Sequence, residues 1–166
     1  MVGTALALAA ALLTPLELAP GARYDPKIPT LKQVLGHEVG EEITSPEGIV
    51  QYLAALQQAA PERTRLIRYA QSWEGRPLHV MVVASPERIA RLETIQADLR
   101  RLADPRGLAS AEAERLVREL PVVVLFLHAV HGNEISSCDA ALFEAYHLLA
   151  AQNDPAAEAI LKATKV

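Results

Sequence analysis

The hydrophobic positions of this chain change their spacing several times, and each spacing predicts a different element. Thr44-Ser45-Pro46-Glu47 carries capping residues and an early proline, and apolar residues then recur at helical spacing as far as Pro61. Two strand-like runs follow at residues 65–71 and 78–84, and the glycine-containing segment between them predicts an antiparallel hairpin. Helical spacing returns over residues 86–120, which predicts two helices separated at residues 104–107.

Residues 122–127, Val-Val-Val-Leu-Phe-Leu, have no polar position at all. A strand with this pattern needs cover on both faces, which is typical of a central strand in an α/β sheet. It also needs a hydrogen-bonding neighbour on each edge. The hairpin supplies one neighbour and no later run supplies the other, so we expect an incomplete fold.

A helix is predicted directly after this strand, with Asn133 as its N-cap. Its apolar face recurs at helical spacing: Ile135, Cys138, Leu142, Ala145, Leu149. Asp154-Pro155 ends this helix, and a short helix follows to about Ala163. Cys138 has no second cysteine to pair with, and its place in the stripe predicts a buried structural thiol.

His131 and Glu134 lie where the predicted strand gives way to the helix, the end at which α/β folds build their sites. A helical i, i+3 spacing places both side chains on one face, and Gly132 allows a tight turn between strand and helix. Zinc accepts an imidazole nitrogen and a carboxylate oxygen as ligands. The structural alternative is a histidine that caps the strand and a glutamate that favours the helix N-terminus.

Two motifs in this order resemble the zinc carboxypeptidase family to which carboxypeptidase A belongs. The first is Ser72-Trp-Glu-Gly-Arg-Pro-Leu78 followed by a hydrophobic strand, and the second is His131-Gly-Asn-Glu134-Ile-Ser-Ser preceded by residues 122–127. The resemblance covers about residues 31–166. It implies an α/β fold with a mixed sheet and helices on both faces, of which this chain holds the N-terminal part.

By the same resemblance, His131 and Glu134 are the first two ligands of a catalytic Zn²⁺. The third ligand, a histidine, and the general-base glutamate are expected beyond Val166, so no catalytic residue is assigned within the chain. The implied activity is hydrolysis of C-terminal peptide bonds, with a peptide as substrate. The chain itself is expected to be an inactive fragment of that enzyme. Asn133 stands where digestive members have an arginine, so their subsite contact is not carried over.

Two other functions remain open from the sequence. One is a zinc amidohydrolase or deacylase of the same fold, because such enzymes share the H-x-x-E motif. The other is a non-catalytic binding module. A downstream histidine and glutamate would exclude the binding module. The residues that bind the substrate carboxylate would distinguish a peptidase from a deacylase.

The remaining chemistry-bearing residues are interpreted as structural. His128 is expected to point away from the site or into the sheet, and His147 to be a surface or second-layer residue. His37 and His79 have no predicted role. Trp73 is interpreted as a packing anchor, and Glu74 and Arg76 as turn residues.

Charge and the N-terminus limit partners and location. The net charge of −4 has no basic stripe, which argues against a nucleic-acid partner. The apolar run at residues 1–13 is shorter than the ~20 residues of a membrane span and fits a signal peptide over residues 1–22. A misassigned start or a loose N-terminal helix is the alternative. Residues 23–43 are then expected to form a lead-in, and residues 44–166 the N-terminal part of the catalytic domain that the resemblance implies. We expect the protein to be secreted or periplasmic.

Overall fold

A computed structural model describes residues 18–163 of the chain, so most of the predicted leader lies outside the described residues. The elements in chain order are β1 (Arg23–Tyr24), α1 (Leu31–Leu35), α2 (Pro46–Ala59), β2 (Thr64–Gln71), β3 (Pro77–Val83), α3 (Pro86–Ala90), α4 (Leu92–Ala103), α5 (Ser110–Glu119), α6 (Ile135–Ala150), β4 (Ala151–Gln152) and α7 (Pro155–Ala163). Helices and strands are mixed, which confirms the α/β class. None of the described helices is long and apolar enough to cross a membrane.

The predicted hairpin is confirmed. β2 and β3 pair antiparallel from Thr64 opposite Val83 to Gln71 opposite Pro77, with an irregularity between Arg68 and Ala70. Its turn closes through a hydrogen bond from the Ser72 amide to the Arg76 carbonyl, 2.8 Å. Gly75 has φ +81° in this turn, a conformation that residues with a Cβ rarely adopt.

The core forms where α2, α6 and the lead-in meet. It comprises Ile28, Leu31, Tyr52, Leu56, Ala60, Leu142, Tyr146, Leu149 and Ala150, and Met81 and Val83 of β3 pack against it. The α2 helix begins as predicted, with the Ser45 hydroxyl accepting from the Gly48 amide at 3.0 Å. Burial raises the pKa of Tyr52 well above its usual value, and its hydroxyl donates to the Pro29 carbonyl.

One buried carboxylate fastens the lead-in to α6. Asp139 is 5% exposed and accepts from the Thr44 hydroxyl at 2.6 Å and from the Gly40 amide at 3.0 Å. Two structural donors therefore satisfy a charge that would otherwise be costly to bury. This contact places the lead-in against the helix that follows His131 and Glu134.

The prediction of two helices over residues 86–120 is wrong in its count. The break after Ala103 is present, but Arg91 separates α3 from α4 as well. Arg91 has φ −106° and ψ 11°, outside helical values, and its amide makes short-range bonds to the Arg88 and Ile89 carbonyls. The 3.6-residue pattern runs through such a kink unchanged, which is why the spacing alone did not reveal it.

The prediction of a central strand at residues 122–127 is wrong for the described structure. The described strands form two antiparallel sheets of two strands each, β1–β4 and β2–β3, and residues 122–127 belong to neither. Their side chains are 42% to 78% exposed. A β-strand is stabilised by hydrogen bonds to neighbouring strands, and within residues 18–163 no segment pairs with residues 122–127.

Candidate metal centre

His131 and Glu134 lie in a turn directly before α6. The Glu134 amide donates to the His131 carbonyl at 3.0 Å, which closes the turn. The helix begins at Ile135 with Glu134 as its N-cap residue, so the predictions of Asn133 as N-cap and of a helical i, i+3 pair are wrong. A turn of this length brings the two side chains together as a helical spacing would.

Gly132 lies within the turn that the Glu134 amide closes, as predicted. The glycines with positive φ are elsewhere in the described residues, and a Cβ at Gly132 would meet nothing within 4 Å, so this turn does not require a glycine. The positive φ of this segment falls on Ala129, at +55°. The backbone therefore turns at Ala129 and again between His131 and Glu134.

The two predicted ligands contact each other through a ring nitrogen and a carboxylate oxygen, atom types that metals accept as ligands. His131 Nδ1 and Glu134 Oε1 are 2.6 Å apart, and the other carboxylate oxygen lies 3.4 Å from the His131 amide. The side chains are 70% and 49% exposed, so they can rotate and solvent reaches them. An imidazole and a carboxylate therefore converge on one accessible point.

This donor pair fits zinc in type and needs a small adjustment in distance. Tetrahedral zinc holds nitrogen and oxygen ligands at about 2.0–2.2 Å, which places two ligand atoms about 3.3 Å apart. The pair must therefore open by less than 1 Å, and the exposure of both side chains permits that. Among residues 18–163 there is no group of three or more His, Cys, Asp or Glu side chains that could hold a metal.

His128 contacts α6 and not the interior of a sheet. Its Nε2 is 3.2 Å from Glu144 Oε2, and its ring stacks on Phe126 with centroids 6.3 Å apart. Next to it, the Ala129 amide donates to the Ser137 hydroxyl at 2.7 Å. The sequence interpretation missed Glu144 and Ser137, although their i, i+7 spacing on a predicted helix is a signal that could have found them.

His147 belongs to a second cluster, at the other end of α6. Its Nδ1 is 3.0 Å from the Tyr24 hydroxyl and its Nε2 is 3.0 Å from Asp154 Oδ2. Asp154 also accepts from the Ala156 and Ala157 amides and so begins α7. The predicted second-layer position is therefore a polar link between β1, α6 and α7.

The other histidines remain outside the metal pair. The ring of His37 lies 3.1 Å from the Glu38 carbonyl on the exposed lead-in. His79 has a buried Nδ1 that finds no hydrogen-bond partner among residues 18–163. Neither belongs to a group of three potential metal ligands in the described part of the chain.

Two structural interpretations change. Trp73 is fully exposed at the hairpin tip, so the prediction of a packing anchor is wrong; its neighbours Glu74 and Arg76 form an exposed ion pair at 3.3 Å. A hairpin tip that projects beyond the core gives a side chain nothing to pack against.

Cys138 is a free thiol, as predicted, but it is only half-buried. The residues of α6 that are fully buried in the core are its later apolar ones.

Comparison with known protein families gives a match over most of the chain. A family model described as zinc carboxypeptidase matches residues 49–166, which include the hairpin, residues 122–127 and the turn with His131 and Glu134. No curated protein and no solved structure matches the chain.

Proposed function

The chain belongs to the zinc carboxypeptidase family, and from this membership we propose that His131 and Glu134 supply two ligands of a catalytic Zn²⁺. The observation that carries the proposal is the 2.6 Å approach of His131 Nδ1 to Glu134 Oε1 inside the matched range. The exposure of both side chains supports it further, because a hydrolase needs its metal open to substrate and water.

The proposed reaction is hydrolysis of the C-terminal bond of a peptide. When bound, zinc supplies Lewis-acid polarisation of a carbonyl and lowers the pKa of a bound water. His131 contributes a neutral imidazole and Glu134 an ionised carboxylate, the forms that bind metal. The turn between them brings the two donors together, and both side chains are open to solvent.

Two ligands do not complete a catalytic site. Catalytic zinc usually takes three protein ligands and keeps one position for water. The described residues hold no third candidate beside this pair. We therefore place the third ligand and the general-base glutamate outside the described residues.

The test is a peptidase assay on the protein expressed from the natural reading frame that contains this chain. We expect hydrolysis of an N-blocked dipeptide with a free C-terminus, lost in His131→Ala and in Glu134→Ala. His37→Ala is the matched control, because it removes an imidazole from the exposed lead-in. Full activity in Glu134→Ala contradicts the assignment, and cleavage of N-acyl amino acids in place of dipeptides favours a deacylase.

Export remains a proposal of its own. It is supported by the apolar run at residues 1–13 and the small residues near Ala22. N-terminal sequencing of protein recovered from periplasm or medium should begin near Ala22 to Tyr24. Mature protein in the cytoplasm with Met1 retained contradicts export.

A further inference from the structure

Two side chains of α6 hold the segment that leads into the metal pair. The Ser137 hydroxyl accepts from the Ala129 amide at 2.7 Å, and Glu144 Oε2 lies 3.2 Å from His128 Nε2. Ser137 and Glu144 are at i and i+7 on α6, so they share one face of the helix. That face therefore contacts two consecutive residues just before His131.

This segment has little else to fix it. Residues 122–127 pair with no strand among the described residues. Ala129 has φ +55°, which a residue with a Cβ adopts only where its surroundings impose it. The Ser137 hydroxyl supplies such a constraint directly, because it receives the amide of the strained residue.

The metal pair has two supports, the contact between its own side chains and the backbone that leads into it. The imidazole of His131 is 70% exposed, and within the described residues its hydrogen-bond partner is Glu134. Metal sites usually hold a ligating imidazole with a partner on its second ring nitrogen. The described residues give no such partner, so the path of the backbone through residues 128–131 sets the position from which the ring reaches Glu134.

We propose that Glu144 and Ser137 are positioning residues for the His131–Glu134 metal pair. Glu144 acts through His128, and Ser137 acts through the Ala129 amide. Neither touches the metal or the substrate. This inference rests on the proposed function, since it assigns them to the same site.

The test is a zinc titration of the 166-residue chain, followed by NMR of the histidine ring signals. Glu144→Ala and His128→Ala should each weaken zinc binding at His131 by about tenfold, the lower end of the loss seen when a residue that orients a metal ligand is removed. The double variant should bind no more weakly than either single one, because both changes break one contact. Glu144→Gln should bind as the unchanged chain does, because its amide oxygen can lie at the same 3.2 Å from His128 Nε2.

Ser137 gives a second, independent arm. Ser137→Ala should weaken zinc binding, and Ser137→Thr should preserve it because the hydroxyl remains. Asp154→Ala is the matched control: it removes a histidine–carboxylate contact of 3.0 Å at the far end of the same helix. It should leave the zinc affinity at His131 unchanged even though it disturbs α7.

The outcomes separate this inference from the proposed function. Unchanged zinc affinity in Glu144→Ala and Ser137→Ala overturns the positioning role and leaves the metal pair intact. Equal loss in Glu144→Ala and Glu144→Gln also overturns it as stated, since the contact of a side-chain oxygen with His128 Nε2 is then not what matters. No zinc-dependent shift of His131 in the unchanged chain overturns the metal pair itself, and the positioning role with it.

Discussion

Asp139 shows how one residue determines the path of a long loop. Its buried carboxylate accepts from Thr44 and from the Gly40 backbone, which ties the lead-in to α6. Asp139→Ala leaves the buried Thr44 hydroxyl without its acceptor, and we expect a loss of about 1–3 kcal/mol in the free energy of unfolding. Urea denaturation measures this. Glu62→Ala, which removes an exposed carboxylate, should stay within about 0.5 kcal/mol, and an equal loss there contradicts the argument.

Asp154 gives a prediction about pH at the same scale. Hydrogen bonds from the Ala157 and Ala156 amides, together with His147, hold the pKa of Asp154 below its ordinary value of 3.8. A carboxyl with a lowered folded pKa contributes stability above the unfolded pKa and loses it as the pH falls through the folded value. Asp154→Asn should therefore be less stable than the unchanged chain at pH 7. Melting temperatures measured from pH 7 to pH 2 should converge at the acid end; a constant difference contradicts this.

Among the elements, the hairpin shows which local signals are sufficient to predict structure from sequence. Ser72, Gly75 and Arg76 form a turn whose φ and hydrogen bonds are properties of its own residues, so the sequence predicted it. The start of α2 is local in the same way, because Ser45 caps it from the adjoining position. The pairing of residues 122–127 depends on distant neighbours, and no local pattern encodes that.

The candidate site also has parts that the sequence predicts and parts that it does not. The sequence predicts His131 and Glu134 as a pair because both lie in one short motif, and the structure brings their side-chain donor atoms together. Glu144 contacts His128 although a turn and more than two turns of helix separate them in the sequence. The short motif does not extend to Glu144, so it could not predict this contact. The positive φ of Ala129 was not predicted, because alanine has no preference for that conformation.

The hairpin turn also makes a stability prediction. Gly75→Ala places a Cβ at φ +81°, and we expect a loss of about 1–2 kcal/mol. Gly132→Ala is the matched control, because its Cβ would meet nothing within 4 Å and its φ is not positive. Thermal melting compares the two. A Gly75→Ala chain as stable as the control contradicts the turn geometry described here.

For the whole molecule, residues 122–127 are the dominant exposed apolar feature of the described surface. Six consecutive apolar side chains are 42% to 78% exposed, with backbone that no described strand pairs. Such a run favours association through strand edges. Sedimentation velocity of the 166-residue chain should show mass increasing with concentration, and Leu125→Lys should reduce it. Concentration-independent monomer in the unchanged chain contradicts this prediction.

The central claim, that His131 and Glu134 together hold zinc, is tested most directly by equilibrium dialysis of the 166-residue chain against zinc. The bound metal is then measured by elemental analysis. Two ligands should give weak but saturable binding of one ion, since a site with fewer than three protein ligands keeps part of its affinity. His131→Ala and Glu134→Ala should each abolish that binding, while His37→Ala leaves it unchanged. Zinc binding that persists in both ligand variants contradicts the account.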